Sequence, residues 1–362
     1  MPLPYTSESS LLVAAWIGST NLGDELVFEG LRRKLQARGV APVAISVDAG
    51  QTTRDHGVAA IGSNPVVIRR SARRVSGLVI GGGGFIQDKT SHLNMPYHLA
   101  RVEAARARGL PVAGIGLGVG PVETRLGGVL ARRILRGAVG VSVRDDDSAA
   151  LLRRLGIQSA VVAADLAFAL PLPEVETSDV LVAALRPWTD RRSMLPVGMR
   201  PAPAPAWFLD GMAAALDEAA RRTGLAVRLV ALQADRDGEV HRQVASRMRT
   251  AVSLVEPGVN DVVREVAEAR VVVAMRYHAA VAAALGGRPA VLVGYSDKVL
   301  SLGRDLGAGA VTLRWAPGDV DRLGDGVEAV LGRGDAMVEA RDALRRRERG
   351  NDEVLDRLLE LG

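Results

Sequence analysis

The chain is predicted to be an α/β protein made of two doubly wound, Rossmann-like domains facing a cleft, and three observations predict it. Short apolar runs alternate with amphipathic segments from residue 11 onward, which is the pattern of βαβ units in a parallel sheet. The alternation breaks at Pro171-Leu172-Pro173-Glu174-Val175-Glu176-Thr177, a proline-bearing acidic connector. The length of 362 residues exceeds what one hydrophobic core usually fills, and a hydrophobic content of 48% is enough for two.

Taken in order, the apolar runs 11–17, 43–47, 77–80, 112–117, 140–143 and 160–163 read as strands of the first sheet, each followed by a loop or an amphipathic segment. Beyond the connector, 180–185, 226–232, 252–254, 271–274 and 290–293 read as a second set, with helices over 208–222 and 236–249 between them. The proline-rich stretch 195–205 reads as a long loop. The charged, amphipathic 336–361 reads as a helix packing back on the body. The expected divisions are therefore 1–172, 173–335 and 336–362. Two such domains across a hinge form a GT-B-like arrangement, although a two-domain dehydrogenase or a periplasmic-type binding protein shares the same pattern.

Composition removes several classes of function. The absence of cysteine excludes a disulfide framework and thiolate chemistry, and fits a reducing compartment. The amino terminus lacks a basic n-region, so the run at 11–17 reads as a strand and not as a signal peptide. No apolar run reaches the ~18 residues of a spanning helix, so a soluble cytoplasmic protein is expected. The pI near 10.0 and the net charge of +5 invite nucleic acid, anionic lipid or an acidic substrate as partner. Aromatics at 3% leave few stacking platforms, which argues against nucleic acid. Only three of the 46 basic residues are lysine, namely Lys34, Lys89 and Lys298. Two of these sit in or beside candidate motifs, where a compact ammonium is not interchangeable with a guanidinium.

The motifs gather at strand ends. Gly18-Ser19-Thr20-Asn21-Leu22-Gly23-Asp24-Glu25 follows the first strand, with Asp24 and Glu25 at the start of a helix, where capping accounts for one acid without requiring Asn21. Its spacing departs from GxGxxG, so NAD is not indicated. Gly81-Gly82-Gly83-Gly84-Phe85-Ile86-Gln87-Asp88 reads as a turn brought close to a ligand or to the other domain, and it lacks the lysine and hydroxyl of a P-loop. A third run, Gly114-Ile115-Gly116-Leu117-Gly118-Val119-Gly120-Pro121, leaves room either for a sugar or for a close helix. Val143-Arg144-Asp145 ends a strand in a cation, where a surface salt bridge is the plain alternative. Met275-Arg276-Tyr277-His278 and Gly294-Tyr295-Ser296-Asp297-Lys298 set an arginine, a histidine and a lysine at the carboxyl ends of neighbouring strands, the edge at which open α/β sheets bind ligands. His92 and His98 are six residues apart, a spacing that does not make a metal pair on one helix face, and no metal site is expected.

In this order, Asn21-Leu22-Gly23-Asp24-Glu25, the run 81–88, Gly116-Leu117-Gly118-Val119-Gly120-Pro121, Val143-Arg144-Asp145 with Ser148, Met275-Arg276-Tyr277-His278 and Asp297-Lys298-Val299 resemble the polysaccharide pyruvyl transferase family, and most closely its CsaB-type members. The resemblance covers roughly residues 11 to 310. It implies a GT-B-like enzyme that transfers pyruvate from phosphoenolpyruvate to a sugar as a cyclic ketal and releases phosphate, with no cofactor. The implied acceptor is N-acetylmannosamine in a lipid-linked precursor of a secondary cell wall polymer that anchors S-layer proteins. On this likeness 1–172 is the acceptor side and 173–335 the donor side. The implied donor set is Arg144, Arg276, His278 and Lys298, with Asp24 as the acidic contributor, and Asn21, Gly82, Gly83 and Asp88 join the substrate-binding set. Tyr277 stands where many relatives carry leucine.

The residue chemistry runs parallel to the likeness. A carboxylate and a phosphate on adjacent atoms suit two arginines, a lysine and a helix N-terminus. A histidine suits the acid role because its ordinary pKa of about 6.5 lies near working pH. Two rivals stay open: a glycosyltransferase or sugar epimerase gripping a nucleotide-sugar diphosphate, and a non-catalytic anion or glycan binder. The arginine-rich surface adds the expectation of peripheral contact with the inner face of an anionic membrane.

Overall fold

The computed structural model describes residues 9–89, 93–188, 204–294, 296–314 and 322–361. His92, Tyr295 and residues 195–203 of the expected loop lie outside the described residues.

The first sheet runs through β1 (Ser10–Ile17), β2 (Ala41–Ser46), β3 (Ala59–Gly62), β4 (Gly77–Ile86), β5 (Val112–Val119), β6 (Val141–Val143) and β7 (Ala160–Val162), all parallel, in the order β3-β2-β1-β4-β5-β6-β7. The second comprises β8 (Val180–Ala184), β9 (Ala226–Val230), β10 (Val252–Val255), β11 (Val271–Ala274), β12 (Ala290–Gly294) and β13 (Ala310–Arg314), in the order β10-β9-β8-β11-β12-β13. Both orders reverse direction beside their first strand, the topological switch point that opens a crevice at the carboxyl ends of doubly wound sheets. No helix among the described residues is long and apolar enough to cross a membrane.

The helices begin where sequence chemistry supplies caps. In α1 (Leu22–Gln36), Asn21 accepts from the Gly23 N–H. In α2 (Ala49–His56) the cap is Asp48, in α3 (Pro65–Ser71) it is Asn64 with proline in the first turn, in α5 (Arg125–Leu135) it is Thr124, and in α6 (Asp146–Arg154) it is Asp145. Between β4 and β5 lies α4 (Asn94–Arg106). The second domain carries α7 (Ala206–Thr223), α8 (Ala234–Ala245), α9 (Val262–Ala267), α10 (Tyr277–Leu285), α11 (Asp297–Leu306) and α12 (Leu323–Val330). Where one carboxyl-terminal helix was expected there are two, α13 (Gly334–Glu348) and α14 (Gly350–Leu359). They diverge because α13 stays beside the second domain, whereas Val354, Leu355 and Leu358 of α14 join the core of the first.

Of the four edge strands, β3 and β13 were missed in the sequence, while β7 and β10 fall on the runs 160–163 and 252–254. The second glycine run is also not a turn. It continues β4, with positive φ at Gly82 and Gly83, and Gly83 still pairs with Leu117 of β5. At Gly82 the cause is packing, since a Cβ there would come within 1.8 Å of Val27 Cγ1 on α1.

The two domains share a core. Leu26 of α1 and Phe168, just before the connector, pack with Tyr277, Val281 and Leu302 of the second domain. On the cleft side, the Leu22 N–H donates to the Leu232 carbonyl at 2.8 Å and Gln233 Nε2 donates to Thr20 Oγ1 at 3.2 Å.

The position of α1 depends on a buried cluster. His56 Nε2 lies 2.9 Å from Glu25 Oε2, its Nδ1 lies 3.4 Å from Glu29, and its ring meets Phe28 edge to face at 4.9 Å. Burial alone would lower His56, but its hydrogen bonds to Glu25 and Glu29 raise it to about 9. Burial pushes Glu25 up against its hydrogen bond to His56, whereas hydrogen bonds to His56 and Arg32 hold Glu29 at about 2 despite its burial. Because the folded value exceeds the ordinary 6.5, the stability from this charge is whole below pH 6.5 and is lost as pH rises through about 9. Thermal melts followed by circular dichroism are expected to show the midpoint falling across that window, and the His56→Gln variant is expected to lose that part of the pH dependence.

Candidate functional site

The site forms where the first turns of α1 and α10 meet. Parallel sheets place these N-termini at the carboxyl edges of β1 and β11, so their unpaired N–H groups and positive dipole ends face the same crevice. His278, in the first turn of α10, reaches across to α1. A Cβ on Gly23 would stand 2.2 Å from its Nδ1, so the glycine is what lets the imidazole sit there. His278 Nε2 lies 3.7 Å from Asp165 Oδ2, longer than a hydrogen bond. It is a buried ring nitrogen without a hydrogen-bond partner among the described residues.

Asp165 was not singled out in the sequence. It follows β7, caps the short 3-10 turn Leu166–Ala169 by accepting from the Ala167 N–H, and is buried between His278 and Arg144. Burial would raise its carboxyl, but the His278 imidazole and then the Arg144 guanidinium outweigh this and hold it at about 2. The only sequence signal was a lone acid within the apolar stretch 160–170.

Arg144 is 5% exposed, so the surface salt bridge is not what the structure shows. Its Nε donates to Asp145 Oδ2 at 3.3 Å, one terminal nitrogen donates to Asp165 Oδ2 at 3.5 Å, and Cζ lies 4.4 Å from the centroid of the Tyr277 ring. The other terminal nitrogen lies against the glycine edges of β5 and β4. It would be 2.8 Å from a Cβ on Gly118 and 4.0 Å from one on Gly84. Both glycine runs thus leave space for one guanidinium.

Asp24 lies one residue beyond Gly23. Asn21 Nδ2 donates to its Oδ2 at 2.5 Å, and a Cβ on Gly83 would lie 3.3 Å from its Oδ1. Burial raises the Asp24 carboxyl, while His278, then Lys298, the Asn21 hydrogen bond and Arg276 pull the other way. Four of the residues selected from the sequence thus bear on one carboxylate. Lys298, in the first turn of α11, is exposed. Arg276 caps α10, and its guanidinium is held bidentate by the fully buried Asp237 of α8 and donates to Gln233 Oε1 at 3.2 Å.

Asp88 is engaged elsewhere. Its oxygens accept from the Glu123 N–H at 2.8 Å, the Thr124 N–H at 2.9 Å and Thr124 Oγ1 at 2.6 Å, which fixes the entry to α5. Lys34 sits at the far end of α1, about 20 Å along a helix of this length, in ion pairs with Glu348 and Asp352. His98 is buried on α4. No group of three His, Asp or Glu side chains among the described residues is placed to hold a metal ion.

The chain resembles several solved structures along nearly its whole length. S. aureus MnaA in a co-structure with UDP has 12% identity over 98% of each chain, with a TM-score of 0.64. The UDP-GlcNAc 2-epimerase of Neisseria meningitidis bound to UDP-GlcNAc has 11% identity over 97% of this chain and 100% of that one, with a TM-score of 0.57. Acinetobacter baumannii MurG has 11% identity over 97% and 99%, with a TM-score of 0.55. At such identities the likeness shows the fold, which is the GT-B arrangement of glycosyltransferases and epimerases. No curated protein matches the chain significantly. The sequence profile of the polysaccharide pyruvyl transferases matches residues 21–297, from Asn21 to Asp297, and the chain belongs to that transferase family.

The buried charges at Arg144 give a direct test of the geometry. Asp165→Asn leaves the guanidinium with one carboxylate where it had two. Breaking a buried pair typically costs about 3 kcal/mol, so urea denaturation is expected to show a loss of that order.

Proposed function

We propose that this polysaccharide pyruvyl transferase takes pyruvate from phosphoenolpyruvate and sets it on two hydroxyls of a sugar as a cyclic ketal, with no cofactor. The observation that carries the reading is the convergence of His278 and Asp24 at two facing helix N-termini, flanked by Arg144 and by the charges of Lys298 and Arg276. Such a site suits a small donor with a carboxylate and a phosphate on adjacent atoms. Arg144, with one terminal nitrogen turned to the glycine edges, suits one anionic group, and Lys298 suits the other.

In the reaction we assign, the His278 imidazolium gives a proton to the methylene carbon, which becomes a methyl group and leaves a cation at the central carbon. A sugar hydroxyl attacks that carbon while Asp24 accepts its proton. The bond from carbon to the phosphate oxygen then breaks, and the leaving phosphate takes the proton from Asp24. A second hydroxyl closes the ring and returns a proton to His278. Both side chains end as they began. The raised Asp24 carboxyl suits this exchange, because a base nearer to working pH both accepts and releases a proton readily.

For the acceptor we propose N-acetylmannosamine in a lipid-linked precursor of a secondary cell wall polymer, in support of S-layer anchoring, as the family resemblance implies. Val66, Val67, Leu126 and Val129 stand exposed at the starts of α3 and α5 with Arg69, Arg70 and Arg125 beside them, an apolar rim with positive charge that suits the anionic inner face of a membrane. Sedimentation with anionic liposomes at low salt, and its loss at high salt, tests that contact.

The second reading is a nucleotide-sugar enzyme, favoured by the UDP and UDP-GlcNAc named with two of the similar structures. Turnover of a UDP-sugar with indifference to phosphoenolpyruvate would select it. On the reading proposed here, His278→Ala lowers phosphate release at least ~100-fold while phosphoenolpyruvate binding by calorimetry persists. Gly23→Ala, whose Cβ would occupy the place of Nδ1, is expected to lower kcat by about 100-fold. Near-normal turnover in either variant would refute the assignment.

A further inference from the structure

Trp16 breaks the burial of its strand. There are four tryptophans and an aromatic content of 3%, yet the indole at the end of β1 is 41% exposed in an otherwise buried strand. Its surroundings are built. Tyr97 of α4 meets it edge to face at 6.0 Å and 70°, His98 meets it at 6.3 Å and 66°, and the two smaller rings pack on each other at 5.2 Å. Beneath them Arg101, 1% exposed, donates to the Ala15 carbonyl at 3.2 Å and to the Ile45 carbonyl at 2.6 Å, with its Cζ 5.0 Å from the Tyr97 centroid. A buried guanidinium thus ties the ends of β1 and β2 to the aromatic cluster. The indole is held in one orientation with part of its surface left open.

The location gives the cluster a purpose. Trp16 lies two residues beyond Ala14, which pairs with Ile80 on β4, and Gly82 and Gly83 lie two and three residues beyond Ile80. Gly83 in turn faces the Asp24 carboxylate. The platform therefore stands on the neighbouring strand to the glycine run, at the same carboxyl edge as the proposed base and five residues before Asn21. Charge does not explain it, since an indole has no use for phosphate. A pyranose does explain it: one face of the ring carries C–H groups that cover an aromatic plane, and the rim carries hydroxyls that reach outward.

We propose that Trp16, braced on the α4 face of the sheet by Tyr97, His98 and Arg101, is the stacking platform for a neutral pyranose ring of the acceptor at the carboxyl edge that also carries Asp24. This rests on the pyruvyl-transfer reading for the identity of the acceptor. The binding claim stands or falls separately.

The probe is the methyl β-glycoside of N-acetylmannosamine, with phosphoenolpyruvate titrated independently. Trp16→Ala is expected to weaken glycoside binding at least tenfold and to raise its KM to match, with phosphoenolpyruvate affinity unchanged, while Trp16→Phe retains most of the binding. In the wild-type protein, saturation transfer is expected from the aromatic protons to the C–H protons of one ring face. Should Trp16→Ala fold poorly, that measurement and Trp16→Phe carry the test. Glycoside binding that is indifferent to Trp16→Ala, or saturation transfer that misses the ring face, overturns the platform. Trp16-dependent glycoside binding with no phosphate released from phosphoenolpyruvate by the wild type leaves the platform standing and overturns the reaction instead.

Discussion

A guanidinium buried at the carboxyl edge of the first sheet constrains the rest of the site. Arg144 cannot leave water without anionic partners, because removing such an ion from solvent costs several kcal/mol even after relaxation. Asp145 and Asp165 supply the charge, Tyr277 supplies a face, and Gly118 gives up its side chain so that the guanidinium can lie along the strand. Asp145 caps α6, Asp165 caps the turn Leu166–Ala169 and Tyr277 opens α10. One arginine thereby ties the carboxyl edge of the first sheet to the start of α10.

From that constraint the polarity of the site follows. Asp165 is shared, so it stands close to His278 without hydrogen-bonding to it, and the imidazole keeps a nitrogen for something else. Asp24 is placed among positive influences from His278, Lys298 and Arg276, and burial still raises its carboxyl. A base in this position is stronger than an exposed aspartate yet sits in a field that welcomes an anion. Arg276 plays a different part from the one its sequence position suggests. Its bidentate hold on Asp237 spends most of its hydrogen-bonding capacity within the second domain, and the hydrogen bond from Gln233 to Thr20 extends the same network to the loop before α1. Arg276 therefore organises the crevice as much as it charges it.

The pattern of what the sequence made legible follows burial. Strands buried on both faces read as apolar runs, and the interior of both sheets was found this way. The strands that escaped, β3 and β13, are two of the four edges: Ala59-Ala60-Ile61-Gly62 has little β-branched character and Ala310-Val311-Thr312-Leu313-Arg314 mixes polar with apolar, whereas the edges β7 and β10 carry valine-rich runs. The residues chosen by their place at strand ends, Arg144, His278 and Asp24, do converge, because a parallel sheet brings every strand's carboxyl end to one side. Asp165 and Asp237 escaped because their meaning lies in partners distant in sequence, His278 and Arg276. Asp88 has the opposite history: its motif was conspicuous, yet its carboxylate is consumed by the backbone before α5. Spacing reports where a side chain stands, not whether its hydrogen bonds are already taken.

The two faces of the molecule are also held unequally. On the cleft side the domains meet through a backbone hydrogen bond at Leu22 and a side-chain one at Thr20, both close to the candidate substrate space. Behind it, Leu26 and Phe168 enter the core of the second domain, α14 returns to the first, and Arg345 donates to the carbonyls of Phe168 and Leu170, just before the connector, at 2.8 and 2.6 Å. Apolar burial and carbonyls already bonded to a guanidinium resist change more than two isolated hydrogen bonds, so the back of the molecule sets the interdomain geometry. The His278 imidazole can therefore be carried on one domain and the Asp24 carboxylate on the other without losing register, since the elements that carry them are packed together behind the site.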